Sequence, residues 1–226
     1  MHLLKRIPCA QVELCWDREL KGGAEGRVRQ LRGVLATAFA DDLFHQHDPV
    51  SGKPLYRYPL VQYRWKAGHG LVMGWGEAAG RLLALPCLDL ELQFGEEMTT
   101  VSDAALTLHQ SQFGVSERLL HYRLVTPALL LNSENYRRYQ GLDEAGKQKE
   151  RDRLLVSNLL TALRGLDVVF PERLYATFID IRERTCHYKG QELLGFNGNI
   201  ACNVVLPDGF AFGHAVSHGF GWLTAK

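Results

Sequence analysis

The chain predicts an α+β protein of two ferredoxin-like modules in tandem, the second degenerate, closed by a C-terminal glycine-rich loop. Three observations carry this. The first half orders its apolar patterns as strand, helix, strand, strand, helix, strand, which is the ferredoxin-like order. The second half repeats that order incompletely, with one long helical stripe among short strands. The last stretch, from Gly209 to Ala225, is too dense in glycine for a helix and follows an apolar run, Ile200 to Leu206.

Ile7 to Trp16 alternates loosely through Ala10, Val12, Leu14 and Trp16, as a half-buried strand does, and ends at Asp17. Lys21 to Gly26 reads as a loop. From Val28 the apolar positions Leu31, Leu35, Ala38 and Phe39 recur at helical spacing as far as Asp41-Asp42. Leu60 to Lys66 and Leu71 to Trp75 form a strand pair about the turn Lys66 to Gly70. Glu77 to Leu85 is a short helix stopped by Pro86, and Cys87 to Phe94 alternates as a further strand.

In the second half, Tyr122 to Leu131 is a strand interrupted by Pro127, which places it at an edge or a bulge. Asp143 to Leu166 is the strongest helix, with Leu155, Leu159, Leu163 and Leu166 as its buried stripe. Short strands follow at Leu174 to Ile181, Thr185 to Lys189, Leu193 to Phe196 and Ile200 to Leu206. The expected modules are 1–117 and 118–226. Gly95 to Glu117 lacks linker composition, so no flexible tether is expected there.

At 226 residues and 46% hydrophobic content the chain can bury a proper core. No apolar stretch has transmembrane length, and the opening residues lack the layout of a secretory signal. The five cysteines are scattered without any Cys-x-x-Cys spacing, so they read as reduced thiols of a cytoplasmic protein. A net charge of +1 gives no overall basic footprint. Cations gather locally instead, around Arg27, Arg29 and Arg32, and from Arg137 to Arg164.

The most chemical segment runs from Phe44 to Tyr58. Pro49, Gly52 and Pro54 exclude regular structure, and the loop presents His45, His47, Asp48, Lys53, Tyr56, Arg57 and Tyr58. Two imidazoles titrating near neutrality suit general acid–base work. The same loop could also be a merely solvated polar one. A His-x-His pair can chelate, but no third ligand follows at metal-site spacing, so no metal or cofactor is expected. In the glycine-rich tail, successive backbone N–H groups can make an anion-binding concavity, or the glycines can close a sheet.

Two blocks resemble a known family. Leu193-Leu-Gly195-Phe-Asn-Gly198, Pro207-Asp208, Phe212-Gly213 and Ser217-His218-Gly219-Phe-Gly221 resemble the C-terminal end of the CRISPR-associated repeat-processing endoribonucleases, members of the RAMP superfamily. Leu31-Arg32-Gly33, Phe44-His45-Gln-His47 and Tyr56-Arg57-Tyr58-Pro59-Leu-Val-Gln62-Tyr63 resemble the N-terminal module of one branch, which carries a paired His-x-His. The resemblance implies RRM-like modules and a metal-independent cut in a CRISPR repeat transcript. It puts His45 and His47 at the catalytic position with Tyr56 or Tyr58 assisting, and it lays the RNA over the helix of Arg32. Gly213, Ser217, His218, Gly219 and Gly221 are then the RNA-contacting loop, with Arg57 and Arg153 as further cations. Arg153 lies on an exposed helix face, and a charged face of that kind is usually just solvated. The chain departs from the family pattern in having Ala211 where a glycine is usual, and His214 and His218 where a Lys or Arg is frequent.

The alternative implied by the same resemblance is a non-catalytic RAMP-type RNA-binding subunit of a CRISPR effector complex, which would not need the His loop. Other effector subunits and a second copy of the chain are the protein partners left open, and no membrane partner is expected. A nucleotide enzyme of another kind is disfavoured, since neither a Walker pattern nor a Gly-x-Gly-x-x-Gly between strand and helix is present.

Overall fold

The computed structural model describes residues 4–39, 44 and 57–226. Two compact units emerge: Ile7–Ser111 with Ser217–Gly219, and Gln112–Val216 with Phe220–Lys226 and the described residues before Ile7. The division falls at Ser111/Gln112, inside a strand.

In the N-terminal unit, β1 (Lys5–Trp16) leads to α1 (Ala24–Ala38), β2 (Val61–Lys66), β3 (His69–Trp75), α2 (Glu77–Leu83), β4 (Glu91–Phe94) and then β5 (Glu97–Leu124). Helix α1 begins four residues before Val28, because Ala24, Glu25 and Arg27 tolerate helix and Gly23 caps it through its backbone. β2 and β3 pair antiparallel about Ala67 and Gly68, both at positive φ (50° and 85°), the backbone that a two-residue hairpin needs. The sheet order is β2-β3-β1-β5. That is the ferredoxin-like order with β5 as the fourth strand. The segment expected to fill that place, Cys87 to Phe94, yields only β4, a short partner of β5 across a two-residue turn at Gly95 and Glu96. Strand β5 escaped the sequence reading because Ser102, Asp103 and the residues from Ala105 to Gln110 are exposed, so no apolar alternation marks it.

Alternation sorts the side chains of this sheet. Ala10, Val12, Leu14, Val61, Tyr63 and Val72 pack with Val28, Leu31 and Leu35 of α1 and with Ala78, Ala79 and Leu82 of α2. Gln62 and Arg64 fall on the other face and are nonetheless buried.

The C-terminal unit begins with the second half of β5. It continues through α3 (Ser133–Gln140), α4 (Glu144–Gly165), β6 (Ala176–Tyr188), β7 (Gln191–Val205), a 3-10 turn at Val216–His218 and β8 (Leu223–Ala225). β6 pairs β7, β7 pairs β5, and β8 lies on the other edge of β5. The ferredoxin-like order therefore recurs, with the glycine-rich loop where a second crossing helix would run. The leucine stripe of α4 is buried as expected, and Asp143 caps the helix by accepting from Gly146 N at 2.8 Å. Two corrections apply. Helix α3 is a second helix in this half; it starts on Asn132, whose side chain accepts from Asn135 N at 2.7 Å. The four short strands expected after Pro171 are two long ones, because Asp180 bonds Asn199 N at 2.9 Å and carries β6 through a bulge. Among the described residues no helix is long and apolar enough to cross a membrane, and all five cysteines are free thiols.

Candidate functional site

Three sequence-distant features converge on strand β2. The first is Phe44, the residue before His45. It is buried, its ring 5.7 Å from that of Phe39 and 6.5 Å from that of Tyr63. The second is Arg32 on α1, half-buried and close enough for its charge to act on the Tyr63 hydroxyl. The third is the Ser217–Gly219 segment of the glycine-rich loop. A Cβ on Gly219 would stand 3.2 Å from Tyr63 O and 3.3 Å from Val28, so the backbone there lies against both α1 and β2. Tyr63 is the common point. Its Oη is buried with no hydrogen-bond partner among the described residues, and burial pushes its pKa up while Arg32 pulls the other way.

The other flank of the histidine loop is held on the same strand. Tyr58, half-buried, accepts a hydrogen bond from Gln62 Nε2 at 2.9 Å, and the Pro59 carbonyl accepts from the same nitrogen at 3.2 Å. Phe44 and Tyr58 thus contact adjacent residues of β2, Tyr63 and Gln62. His45, His47 and Tyr56, the expected catalytic residues, lie outside the described residues. Arg57 is exposed.

The remaining expected contacts have visible local reasons for their positions. Ser217 is buried and His218 half-buried in the 3-10 turn. Gly213 sits at φ +98°, where a Cβ would come within 2.7 Å of Leu129 O. Gly221, at φ +70°, would place a Cβ 1.9 Å from Phe212 O. Much of the loop's backbone is occupied internally: Phe212 N bonds Gly221 O at 3.1 Å, His214 N bonds Leu129 O at 2.7 Å, and Gly221 N bonds Pro127 O at 2.8 Å. These donors serve the C-terminal unit's own backbone.

Arg153, on α4, donates from Nε and Nη2 to the two oxygens of Glu150 at 2.8 and 2.7 Å, and Arg138 bonds the same carboxylate. The Arg153 hydrogen bond is the main reason that the Glu150 carboxyl is held down at about 2. Arg153 belongs to the C-terminal unit, and its charge is matched there.

Sequence reading overlooked Gln62 and Arg64. In β2 they alternate with Val61, Tyr63 and Trp65, a pattern that reads as polar-out and solvated. Their exposures, 0% and 3%, reverse that. The signal was present in the spacing: Gln62 stands four residues after Tyr58.

Residues 6–112 match the Cas6b N-terminal domain and residues 114–226 the Cas6b C-terminal domain. An uncharacterized protein of Methanocaldococcus jannaschii is 33% identical over 131 residues, 58% of this chain and 89% of its own length. Among solved structures, a crystal structure of Cas6b gives a TM-score of 0.85 at 23% identity, covering 98% of this chain and 100% of that one. A crystal structure of the CRISPR RNA processing endoribonuclease Cas6b gives 0.73 at 21%, covering 97% and 100%. At these identities the two structures share the fold of this chain.

Proposed function

Since the chain belongs to the Cas6b family of CRISPR repeat-processing, RAMP-type endoribonucleases, we propose that it cuts the repeats of a CRISPR precursor transcript without a metal ion. The 2′-hydroxyl before the scissile bond attacks the adjacent phosphorus, the 5′ oxygen departs, and the product ends in a 2′,3′-cyclic phosphate. His45 and His47 divide the proton transfers, one removing the 2′-hydroxyl proton and the other protonating the leaving oxygen. Tyr56 or Tyr58 assists, and Lys53 or Arg57 offsets charge on the phosphorane. Arg32 and the Ser217–Gly219 segment hold the RNA, and the remaining loop glycines, Gly213 and Gly221, shape its path. The protein acts in the cytoplasm.

The observation that carries this reading is the meeting of the flanks of the histidine loop, the Arg32 helix and Ser217–Gly219 on one strand, β2. A site for RNA cleavage needs an acid–base pair, a cation and a backbone rest for the phosphates; Arg32 and the Ser217–Gly219 backbone lie beside β2, and Phe44 and Tyr58, the described neighbours of the histidine segment, contact that strand. The test is cleavage of repeat RNA in excess chelator. Each His→Ala change should slow cleavage about 10²–10⁴-fold with a modest loss of binding. A 2′-deoxy nucleotide at the cut site should abolish it. A requirement for divalent metal, or unchanged cleavage by the His45→Ala, His47→Ala double variant, overturns the proposal in favour of a non-catalytic RNA-binding subunit.

A further inference from the structure

The longest strand, β5, is left half-paired in its middle. At its start β1 and β4 flank it on opposite edges, because both meet Thr100. Asp17, at the end of β1, donates its N–H to Thr100 O at 3.0 Å, and Glu91 of β4 stands opposite Thr100. The β4 side is occupied only as far as Val101, which exchanges backbone bonds with Asp89 and Leu90 at 3.0 Å. β7 does not join β5 until Gly114. From Ser102 to Gln110, β1 is the neighbour on one edge, and among the described residues no strand pairs the other.

The side chains agree. Ala105 to Gln110 are exposed, with Leu106 at 49% and Leu108 at 57%. The Ala104 N–H is taken by the Asp103 carboxylate at 2.8 Å. An open edge offers its N–H and C=O groups to any passing strand, and natural sheets blunt such edges with Lys, Pro or inward-pointing charges. From Ser102 to Gln112 there is no Lys, Arg or Pro, and Asp103 carries the segment's one formal charge. Leu106 and Leu108, two residues apart, share a face. An uncharged edge with two exposed leucines on one face is built to be covered.

We propose that this segment of β5 pairs with the same segment of a second copy of this chain, antiparallel about a twofold axis at Thr107. In that register Leu106 lies opposite the partner's Leu108, Ala105 opposite the partner's His109, and Asp103 opposite the partner's Ser111. Each leucine gains an apolar partner and no like charges meet. Sliding by two residues would set a leucine against Ala104 or Gln110 instead. Such self-complementarity is what a twofold interface requires. About nine residues of each copy pair, fewer than the roughly 20–30 a side of a standard interface, so the dimer is reversible, with a Kd on the order of 10 µM. The inference is independent of the cleavage reading, since it uses neither the histidine segment nor RNA.

Sedimentation of the RNA-free protein over a concentration series tests it. The parent should pass from the mass of one chain to twice that mass. The double variant Leu106→Lys, Leu108→Lys should raise the dimer Kd at least about tenfold, because lysines then face lysines across the axis. Both side chains are exposed, so its melting should match the parent's. A crosslinking pair keeps the test open if that variant fails to fold. Thr107→Cys sets two thiols across the axis, their Cβ atoms about 5 Å apart, and mild oxidation should link them above the background of the parent's five free thiols. Ser102→Cys, whose two copies stand roughly 30 Å apart along the pair, should not crosslink. A parent still monomeric at about 100 µM overturns the self-pairing and leaves this edge to an extended segment of another protein. An unchanged Kd in the folded lysine variant, or equal crosslinking at positions 102 and 107, overturns it as well.

Discussion

The two units use their cations and glycines differently. In the C-terminal unit Arg138 and Arg153 converge on Glu150, and Arg151 reaches Tyr139 Oη at 3.0 Å and Glu183 at 3.7 Å. In the N-terminal unit Arg27 is ion-paired with Glu97, but Arg32 and Arg57 have no carboxylate partner among the described residues. The glycines divide in the same way. Gly213 and Gly221 let the second unit's backbone cross itself, whereas Gly219 lies against α1 and β2 of the first. A cation already matched by a carboxylate has little left for a phosphate, and a glycine wedged against its own chain serves folding first. On the cleavage reading proposed above, the difference favours the first unit for RNA contact and the second for architecture.

The largest effect that can break this comparison is at Gly221. A Val there must take a φ near +70° and a Cβ 1.9 Å from Phe212 O. Strain and overlap together should cost about 3 kcal/mol or more. Gly221→Val should therefore unfold the C-terminal unit, seen as an early denaturant transition, before any RNA contact is tested. Gly219→Val meets Tyr63 O and Val28 at 3.2 and 3.3 Å and should leave the C-terminal unit folded while weakening RNA binding. Equal denaturation by both would erase the division of labour.

Arg32 and Arg153 give the next contrast. If Arg32 pairs with a phosphate, Arg32→Ala should lower RNA affinity and reduce the slope of log K against log salt by about 1. Arg153→Ala should leave that slope unchanged, since its charge is taken up by Glu150. A slope change at Arg153 instead would move the RNA onto α4.

How much of this was legible in the sequence follows from what each residue meets. The leucine stripe of α4 and the alternation of β1 were readable because each element buries one face against its own unit, and periodicity reports that. Strand β5 was not, since its middle is exposed on both faces and obeys no burial period. The polar face of β2 misled for the opposite reason. Gln62 and Arg64 have surface chemistry at buried positions, and only their partners in space explain them. Arg153 looked available on a helical wheel. The wheel does not show that Glu150, one turn earlier, bonds two arginines at once.

Acid titration sharpens the second-unit half of the comparison. Glu150 has a folded pKa of about 2 against an ordinary 4.5, so the carboxylate stabilises the fold above its unfolded pKa. That contribution is lost as the pH falls from about 4.5 towards 2. It should be on the order of 1 kcal/mol, because both arginines are more than half exposed and screened by solvent. Glu150→Gln should flatten this part of the stability curve, and Arg153→Ala should move the loss to higher pH. An unchanged acid limb in both would mean that the pair contributes nothing to folding.

The smallest expected effect concerns the missing charge of the glycine-rich loop. From Gly190 to Ala225 there is no Lys or Arg, and the loop's titratable residues include His214 and His218. The His214 backbone N–H is bound to Leu129 O at 2.7 Å, and although part of the residue is exposed, desolvation of the ring lowers its pKa below the ordinary 6.5. His214 is therefore neutral at neutral pH and adds no fixed charge to a phosphate site. His214→Ala should change RNA Kd by less than about twofold near neutral pH. Acidification through the depressed pKa protonates the imidazole, which should tighten RNA binding of the parent more than of the variant. The same protonation opposes folding, because the folded pKa is the lower one: the stability from the neutral ring is present above the unfolded pKa and lost as pH falls. The parent should thus gain RNA affinity and lose stability together as the pH falls below the ordinary 6.5, and the variant should show less of both. A large loss of affinity at neutral pH in His214→Ala would show that RNA raises this histidine into its charged form, and the loop of the second unit would then share the cationic role assigned here to the first.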